Sequence, residues 1–139
     1  MSKVICVVDD QPSLRQMIRF SLNVNGLQVL EAENGVDALD KLSSHDVDML
    51  IIDWQMPEMD GLELIRSLRK NQSYKDTPVV VISCRDDLEA RKEARSLGVM
   101  TWLKKPFRIA ELQRVIASGL GNVAEPVGPD IKNCTQEPC

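Results

Sequence analysis

Three aspartates stand at the ends of short apolar runs in this 139-residue chain. Asp9 and Asp10 follow the run from Val4 to Val8, and Asp53 ends the run at 48–53. Magnesium prefers hard oxygen ligands and commonly uses one or two carboxylates together with a phosphate. Carboxylates crowded together repel one another, so such a cluster also calls for a positive charge nearby. The three aspartates therefore predict a magnesium site with room for a phosphate.

A hydroxyl and an ammonium group follow two other apolar runs. Ser83 ends the fourth run, and Lys105-Pro106 follows the fifth. A lysine is a mobile point charge that pairs with a carboxylate or a phosphate, and a serine hydroxyl can donate a hydrogen bond to one. Each of these residues is ordinary in a loop, and two adjacent aspartates can simply cap a helix. All five at one edge of one sheet would instead form a ligand site.

The elements that position these residues follow from the periodicity of the chain. Short runs rich in Val, Ile and Leu alternate with segments of helical spacing, which is the pattern of βαβ units around a parallel sheet. The predicted strands lie at 3–8, 27–32, 48–53, 78–83 and 99–103, and the predicted helices at 13–24, 35–44, from Asp60 onward, 86–97 and 108–120. The fold class is α/β. Ligands of such sheets bind outside the carboxyl ends of the strands, where all five polar residues fall.

The predicted helices carry apolar residues on one face and have recognisable ends. The inward residues of the first helix are Leu14, Met17, Ile18 and Leu22, and its outward residues are Arg15 and Arg19. The inward residues of the second are Val36, Leu39 and Leu42. Asp60 followed by Glu63 is a capping-box pattern, and glycines at 26 and 98 predict helix ends.

Composition excludes several classes of function. With 17 basic and 21 acidic residues and a net charge of -4, the chain is not expected to bind nucleic acid or a membrane surface. The single histidine, His45, falls in a helix-to-strand loop at the opposite end of the predicted sheet, which excludes it as a base at this site. There is no Cys-x-x-Cys pair, no secretory leader and no apolar run long enough to span a bilayer. We therefore expect a cytoplasmic protein.

The end of the chain has a different composition. Residues 122–139 hold three prolines and a glycine among polar side chains. This predicts a single domain at 1–121 followed by an irregular tail at 122–139. Cys134 and Cys139 have no histidine or third cysteine beside them, so a metal site there is not expected.

Four motifs make the chain resemble the receiver domains of bacterial response regulators, and it is most similar to the single-domain chemotaxis regulators. They are Val7-Val8-Asp9-Asp10, Asp53-Trp54-Gln55-Met56-Pro57-Glu58-Met59-Asp60-Gly61, Val81-Ile82-Ser83 and Trp102-Leu103-Lys104-Lys105-Pro106-Phe107. The likeness covers residues 3 to about 120. It implies a five-stranded doubly wound parallel sheet of the flavodoxin-like order 2-1-3-4-5, with five helices.

The resemblance also implies a chemistry for the polar residues. Asp53 would accept a phosphoryl group from a phosphohistidine of a histidine kinase. Asp9, Asp10 and Asp53 would hold Mg2+ together with the backbone carbonyl of Gln55. Lys105 would be the family's lysine, joined to its proline by a cis peptide bond. Such a domain catalyses its own phosphorylation and dephosphorylation, yet it is a signalling protein rather than an enzyme.

A switch is the second implication of the resemblance. Ser83 and Trp102 would respond to phosphorylation and change the surface of the fourth helix, fifth strand and fifth helix, which controls a protein partner. Gln55 and Arg85 occupy positions through which relatives tune the phosphate lifetime. Trp102 stands where the family usually has Tyr or Phe, and Arg85 where well-known chemotaxis members have an acidic residue. The output surface is predicted to be basic, through Arg91, Arg95, Lys104 and Arg108.

Several functions fit these observations. The leading hypothesis is a stand-alone, monomeric switch of a chemotaxis-type two-component pathway, with the flagellar motor switch as one candidate partner. A phosphate sink, or a regulator of another pathway, fits the basic output surface. A magnesium-dependent phosphohydrolase with an aspartyl nucleophile uses similar groups. A phosphorylation-independent scaffold is disfavoured because all five site residues are present.

Overall fold

The computed structural model of the chain describes residues 3–56, 58–85 and 87–120. Strands and helices alternate along them: β1 (Val4–Val8), α1 (Pro12–Val24), β2 (Gln28–Ala32), α2 (Gly35–Leu42), β3 (Met49–Asp53), α3 (Gly61–Lys70), β4 (Val79–Ser83), α4 (Leu88–Ser96), β5 (Thr101–Lys104) and α5 (Ile109–Leu120). All neighbouring strands pair in parallel, in the order β2-β1-β3-β4-β5. The predicted doubly wound α/β fold is confirmed.

Helices cover both faces of the sheet, which explains why the strands are apolar at consecutive positions. Side chains of a strand alternate between the two faces. In β1, Ile5 and Val7 pack with residues of α1 and α5, whereas Cys6 and Val8 pack with residues of α2, α3 and α4. The sheet therefore separates two hydrophobic cores and holds the strand ends in fixed positions.

The element boundaries differ from the predicted ones by a few residues, for local reasons. Pro12 is the first residue of α1, because its missing N–H has no partner there in any helix. Helix α4 begins at Leu88 instead of 86, since the Asp87 side chain caps it by accepting from the N–H groups of Glu89 and Ala90. The Asp60 carboxylate accepts from the N–H of Glu63 at 3.0 Å, which is one half of the predicted capping box. Strand β5 runs from Thr101 to Lys104 instead of 99–103.

Two predictions about helix faces were wrong. Val36 is 53% exposed instead of buried. Gly35 packs so tightly against Met59 that a Cβ would lie 2.7 Å from the Met59 Cγ, and this contact turns the face of Gly35, Ala38 and Leu42 toward the sheet. Arg15, predicted on the outer face of α1, has a side chain only 14% exposed because it binds partners on the loop after β1 and on β2.

No helix within the described ranges is long and apolar enough to cross a membrane. The predicted tail, with Cys134 and Cys139, lies outside the described residues. The domain boundary at 121 stays a prediction.

Candidate functional site

Three aspartates meet at the carboxyl ends of two neighbouring strands. Asp9 and Asp10 follow β1, and Asp53 is the last residue of β3. One carboxylate oxygen from each residue lies within 4.8 Å of the others. Asp9 and Asp53 are buried, whereas Asp10 is exposed. The sequence prediction that these residues converge thus agrees with the structure.

Lys105 reaches this cluster from the end of β5. Its Nζ lies 3.1 Å from Asp9 Oδ2 and 3.6 Å from Asp53 Oδ2, and its side chain is 7% exposed. Its own N–H donates to the Ser83 carbonyl at 2.7 Å, and the bond to Pro106 is cis, as the motif implied. The neighbouring Lys104 is exposed. Lys105 is therefore the lysine that is placed to pair with the acidic groups.

Burial dominates the electrostatics of the two inner carboxyls. It raises the pKa of Asp53 to about 6, helped by the charge of Asp9 and opposed by Lys105 and by the Gln55 N–H. It also raises the pKa of Asp9, against the Gln11 N–H and Lys105. Both carboxyls therefore lack sufficient compensation for their charge, and an additional cation would stabilise their ionised forms.

The donor set fits a hard divalent cation. Three carboxylates supply oxygen atoms that lie within 4.8 Å of one another, and oxygen is the donor that such a cation prefers. The Gln55 N–H donates to Asp53 Oδ1 at 3.2 Å, and the Gln11 N–H donates to Asp9 Oδ1 at 2.8 Å. These bonds orient the carboxylates while leaving oxygen lone pairs available to a metal ion.

Ser83 lies beside the cluster at the end of β4. It is fully buried, and its strand pairs with β3 so that Ile82 lies opposite Asp53. Its Oγ accepts a hydrogen bond from the N–H of Arg85 at 3.0 Å. The Arg85 guanidinium pairs with Asp87, the cap of α4, at 2.8 Å. The serine hydroxyl is thus linked to the start of α4 through a single residue.

Two indole rings connect the residue after Asp53 with β5. Trp54, directly after Asp53, lies with its ring centroid 5.1 Å from that of Trp102, at an interplanar angle of 51°. The Nε1–H of Trp102 donates to the Arg85 carbonyl at 3.2 Å, and the Arg91 guanidinium lies 5.8 Å from the Trp102 ring centroid. Trp102 therefore contacts the residue after β3, the β4–α4 loop and α4 at once.

Gly61, the first residue of α3, packs tightly against the main chain of Asp53 and Trp54. A Cβ on Gly61 would lie 2.6 Å from the Asp53 carbonyl oxygen and 2.8 Å from the Trp54 Cα. The Gly61 N–H donates to the Trp54 carbonyl at 3.0 Å. Glu58 has a φ of 67°, which a non-glycine residue adopts only at a cost. Only a glycine therefore fits at position 61 without a shift of the Asp53 and Trp54 backbone.

Residues 5–117 match the family described as the response regulator receiver domain. The chain belongs to this family. The match spans all five strands and the acidic cluster.

Curated response regulators match most of this chain over about half of their own length. Response regulator MprA of Mycobacterium sp. (strain KMS) is 36% identical over 126 residues, which cover 91% of this chain and 54% of that protein. Response regulator MprA of Mycobacterium tuberculosis is 41% identical over 112 residues, which cover 81% of this chain and 48% of that protein. The chain thus spans about half the length of these curated relatives.

Solved structures give the same fold. Chemotaxis protein CheY4 of Vibrio cholerae matches with a TM-score of 0.83 and 32% identity, over 86% of this chain and 100% of that one. A response regulator receiver protein from Pseudomonas putida matches with a TM-score of 0.81 and 25% identity, over 85% and 98%. The chain therefore resembles a chemotaxis protein in both structure and sequence.

One contact next to the acidic cluster was not predicted from the sequence. The Arg15 Nη1 donates to the Asp9 carbonyl at 2.6 Å, behind the acidic cluster. A signal was present in the sequence, because a cation near the start of a helix opposes the helix dipole unless a partner compensates it. His45 lies in the loop between α2 and β3, at the end of the sheet opposite the cluster, as predicted.

Proposed function

We propose that Asp53 is the phosphoacceptor of a Mg2+-dependent switch that takes its phosphoryl group from a histidine kinase. The observation that carries this proposal is a buried carboxylate with Lys105 Nζ at 3.6 Å and two further aspartates within 4.8 Å. An Asp53 oxygen would attack phosphorus, and the bond between phosphorus and the kinase histidine nitrogen would break. The product is an acyl phosphate on Asp53.

Each site residue has a part in this transfer. Mg2+ held by Asp9, Asp10, Asp53 and the Gln55 backbone carbonyl would offset negative charge on the phosphoryl oxygens. Lys105, whose Nζ lies 3.6 Å from Asp53 Oδ2, would supply a second positive charge where negative charge accumulates during transfer. The Gln55 N–H holds one Asp53 oxygen at 3.2 Å, which leaves the other oxygen to act as the nucleophile.

The signal would leave the site through Arg85. Ser83 Oγ now accepts from the Arg85 N–H, and the Arg85 carbonyl accepts from the Trp102 indole. A phosphoryl group on Asp53 offers the Ser83 hydroxyl a charged acceptor, so this hydroxyl would move toward it and the main chain at Arg85 would shift. Trp102 then loses or changes one of its three contacts. Gln55 and Arg85 border the phosphoryl position and would tune its lifetime.

The output surface would be the face of α4, β5 and α5, defined here by Arg91, Arg95, Lys104 and Arg108. Arg95, Lys104 and Arg108 are exposed, whereas Arg91 is half-buried against Trp102. Arg91 and Arg95 also line a groove of about 170 Å³ between α4 and β5, together with Ala94 and Trp102. A protein segment with acidic groups beside an apolar anchor would fit this surface by charge complementarity.

Which pathway uses the switch is a second part of the proposal. The structural likeness to a chemotaxis protein favours a chemotaxis-type partner such as the flagellar motor switch. The likeness to response regulator MprA, of which this chain spans about half, favours another pathway. Phosphorylation-dependent capture by a motor switch protein would support the first, and its absence under conditions where Asp53 is labelled would support the second or a phosphate sink.

Tryptophan fluorescence tests the acceptor directly, because Trp54 adjoins Asp53. We expect a saturable change on titration with Mg2+, and a further change with beryllofluoride, which mimics a phosphoryl group. Asp53→Asn should lose the second change and should not incorporate acid-labile phosphate from a kinase. A labelled Asp53→Asn variant would contradict the assignment of the nucleophile, and turnover of a small phosphate ester in excess over protein would point to a hydrolase.

Lys105→Ala separates the phosphoryl site from its signal. This variant should still bind Mg2+, since the three aspartates remain. Phosphorylation should no longer change the fluorescence of Trp102, measured in a Trp54→Phe background because the chain has two tryptophans. The matched control is Lys104→Ala, which removes the neighbouring exposed lysine. Wild-type signalling by the Lys105 variant would count against its proposed role.

A further inference from the structure

Arg15 joins three elements behind the acidic cluster. Its Nη1 donates to the Asp9 carbonyl at 2.6 Å, and its Nε donates to Glu31 Oε1 on β2 at 3.2 Å. The Arg15 side chain is 14% exposed and that of Glu31 is 20% exposed. A guanidinium presents its donors in a fixed planar fork, so two such bonds hold it in one orientation. Arg15 therefore braces the loop between β1 and α1 against the edge of the sheet.

The peptide that Arg15 holds is the one between Asp9 and Asp10. The Asp9 N–H donates to the Ala32 carbonyl at 3.1 Å, and the Asp9 carbonyl accepts from Arg15. The main chain of Asp9 is thus held on both sides, and its carbonyl belongs to the planar peptide that leads into Asp10. Since Asp10 is exposed, packing does not fix its carboxylate. The peptide plane instead helps to set the position of the Asp10 main chain, from which this carboxylate extends.

Arg19 provides an internal comparison. It lies one turn further along α1 and pairs with the other oxygen of Glu31, Oε2, at 3.0 Å. Its side chain is 54% exposed, and among the described hydrogen bonds none joins it to the loop after β1. The two arginines therefore share a charge, a helix and a partner. They differ in burial and in the bond to the Asp9 carbonyl, which only Arg15 makes among the described hydrogen bonds.

We propose that Arg15 is a positioning residue that sets the affinity of the divalent-cation site by fixing the Asp9–Asp10 peptide. This inference rests on the proposed function, because it takes the acidic cluster to bind the cation. The charge of Arg15 acts in the opposite direction, since a guanidinium near the cluster repels a second cation. If a neutral residue replaces Arg15, the loss of its hydrogen bonds should weaken cation binding, whereas the loss of its charge should strengthen it.

The test measures Mg2+ affinity through tryptophan fluorescence in the full chain. Partners behind metal ligands typically change metal affinity by about 10-fold to 100-fold, so we expect Arg15→Gln to weaken Mg2+ binding at least about tenfold. Arg15→Lys keeps the charge but loses the fork, and it should weaken binding similarly. Arg19→Gln should stay within about twofold of wild type, because a screened exposed pair contributes little.

Amide hydrogen exchange in the metal-free protein gives a readout that does not depend on the ion. The amides of Asp10 and Gln11 should exchange faster in Arg15→Gln but not in Arg19→Gln. Unchanged or tighter Mg2+ binding by Arg15→Gln, with wild type binding normally, would overturn the brace and leave the proposed function intact. A wild-type chain with no saturable Mg2+ response would overturn the proposed function, and the role of Arg15 in it.

Discussion

At the scale of single residues, the burial of the Asp53 carboxylate lowers the stability of the metal-free fold. The pKa of Asp53 is about 6 in the folded chain against an ordinary 3.8. Between these values the folded chain holds a proton that the unfolded chain has lost. Raising the pH through this window therefore weakens the metal-free fold. One pKa unit corresponds to about 1.4 kcal/mol, so the loss at neutral pH is about 2–3 kcal/mol.

Asp53→Asn should recover most of this loss. In the metal-free protein at pH 7 we expect the free energy of unfolding to rise by about 2 kcal/mol. The gain should shrink as the pH falls toward 3.8, because the folded carboxyl is then protonated and the unfolded carboxyl becomes protonated as well. Urea unfolding with a chelator at several pH values measures it. Asp46→Asn, on an exposed residue at the other end of the sheet, is the control. An Asp53→Asn gain equal at pH 4 and pH 7 would contradict the pKa argument.

Gly61 is the second residue at which a small change should have a large effect. A Cβ there would meet backbone atoms of Asp53 and Trp54 at 2.6 Å and 2.8 Å, and backbone cannot yield as a flexible side chain does. We expect Gly61→Ala to destabilise the fold by about 2 kcal/mol and to weaken the Mg2+ response of Trp54.

A control separates this clash from backbone strain. Gly26→Ala places a Cβ in open space at a φ of 82°, so it should cost about 1–2 kcal/mol in stability without altering the Mg2+ response. Equal Mg2+ responses in the two alanine variants would show that the packing of Gly61 does not position Asp53 and Trp54.

At the scale of elements, α4 is anchored at its carboxyl end by a side chain of α3. The Arg69 guanidinium donates to the carbonyls of Leu97 and Gly98, just after α4, at 2.7 Å and 3.3 Å. It also donates to the carbonyls of Tyr74, Lys75 and Thr77 before β4, at 3.0, 3.2 and 2.8 Å. The amino end of α4 follows the β4–α4 loop that leads out of the site. The carboxyl end of α4 is therefore anchored, whereas its amino end is the one proposed to respond to phosphorylation.

Arg69→Met should loosen this anchor. A hydrogen bond that involves a charged group contributes about 1.5–3 kcal/mol to stability. Since the variant removes the charged donor, we expect the free energy of unfolding to fall by about 2 kcal/mol or more. Arg66→Met is the matched control, because Arg66 also lies on α3 and pairs with Glu93 of α4, but the two side chains are 55% and 48% exposed. That pair should contribute less than about 1 kcal/mol. Equal losses in the two variants on urea unfolding would contradict the anchor.

At the scale of the whole molecule, periodicity and loop position predicted much of the structure. Consecutive apolar residues identified the strands, and the rule that ligands bind at the carboxyl ends of parallel strands placed Asp9, Asp53 and Ser83 together. The order of the strands came from the family motifs and not from periodicity. The brace from Arg15 to Glu31 could not be predicted, because the two residues meet only once β2 lies beside β1. The same holds for Arg69, whose partners belong to two separate loops.

The fold as a whole should gain stability from the cation. A ligand that binds the folded chain alone stabilises it by about 2.7 kcal/mol at a concentration 100 times its Kd. For a domain of this size 1 kcal/mol raises the Tm by roughly 3–5 °C, so Mg2+ should raise the Tm by about 10 °C. Thermal unfolding followed by circular dichroism measures the shift, with NaCl of equal ionic strength as the reference.

Variants locate the origin of this shift. Asp10→Asn changes an exposed residue of the cluster, so it should leave the metal-free Tm nearly unchanged while abolishing most of the Mg2+ effect. Asp46→Asn, at the opposite end of the sheet, should keep the full effect because it removes the same charge far from the cluster. If both variants kept the full shift, Mg2+ would be stabilising the chain by binding elsewhere, and the proposal that the acidic cluster holds the Mg2+ of a phosphoryl site would be wrong.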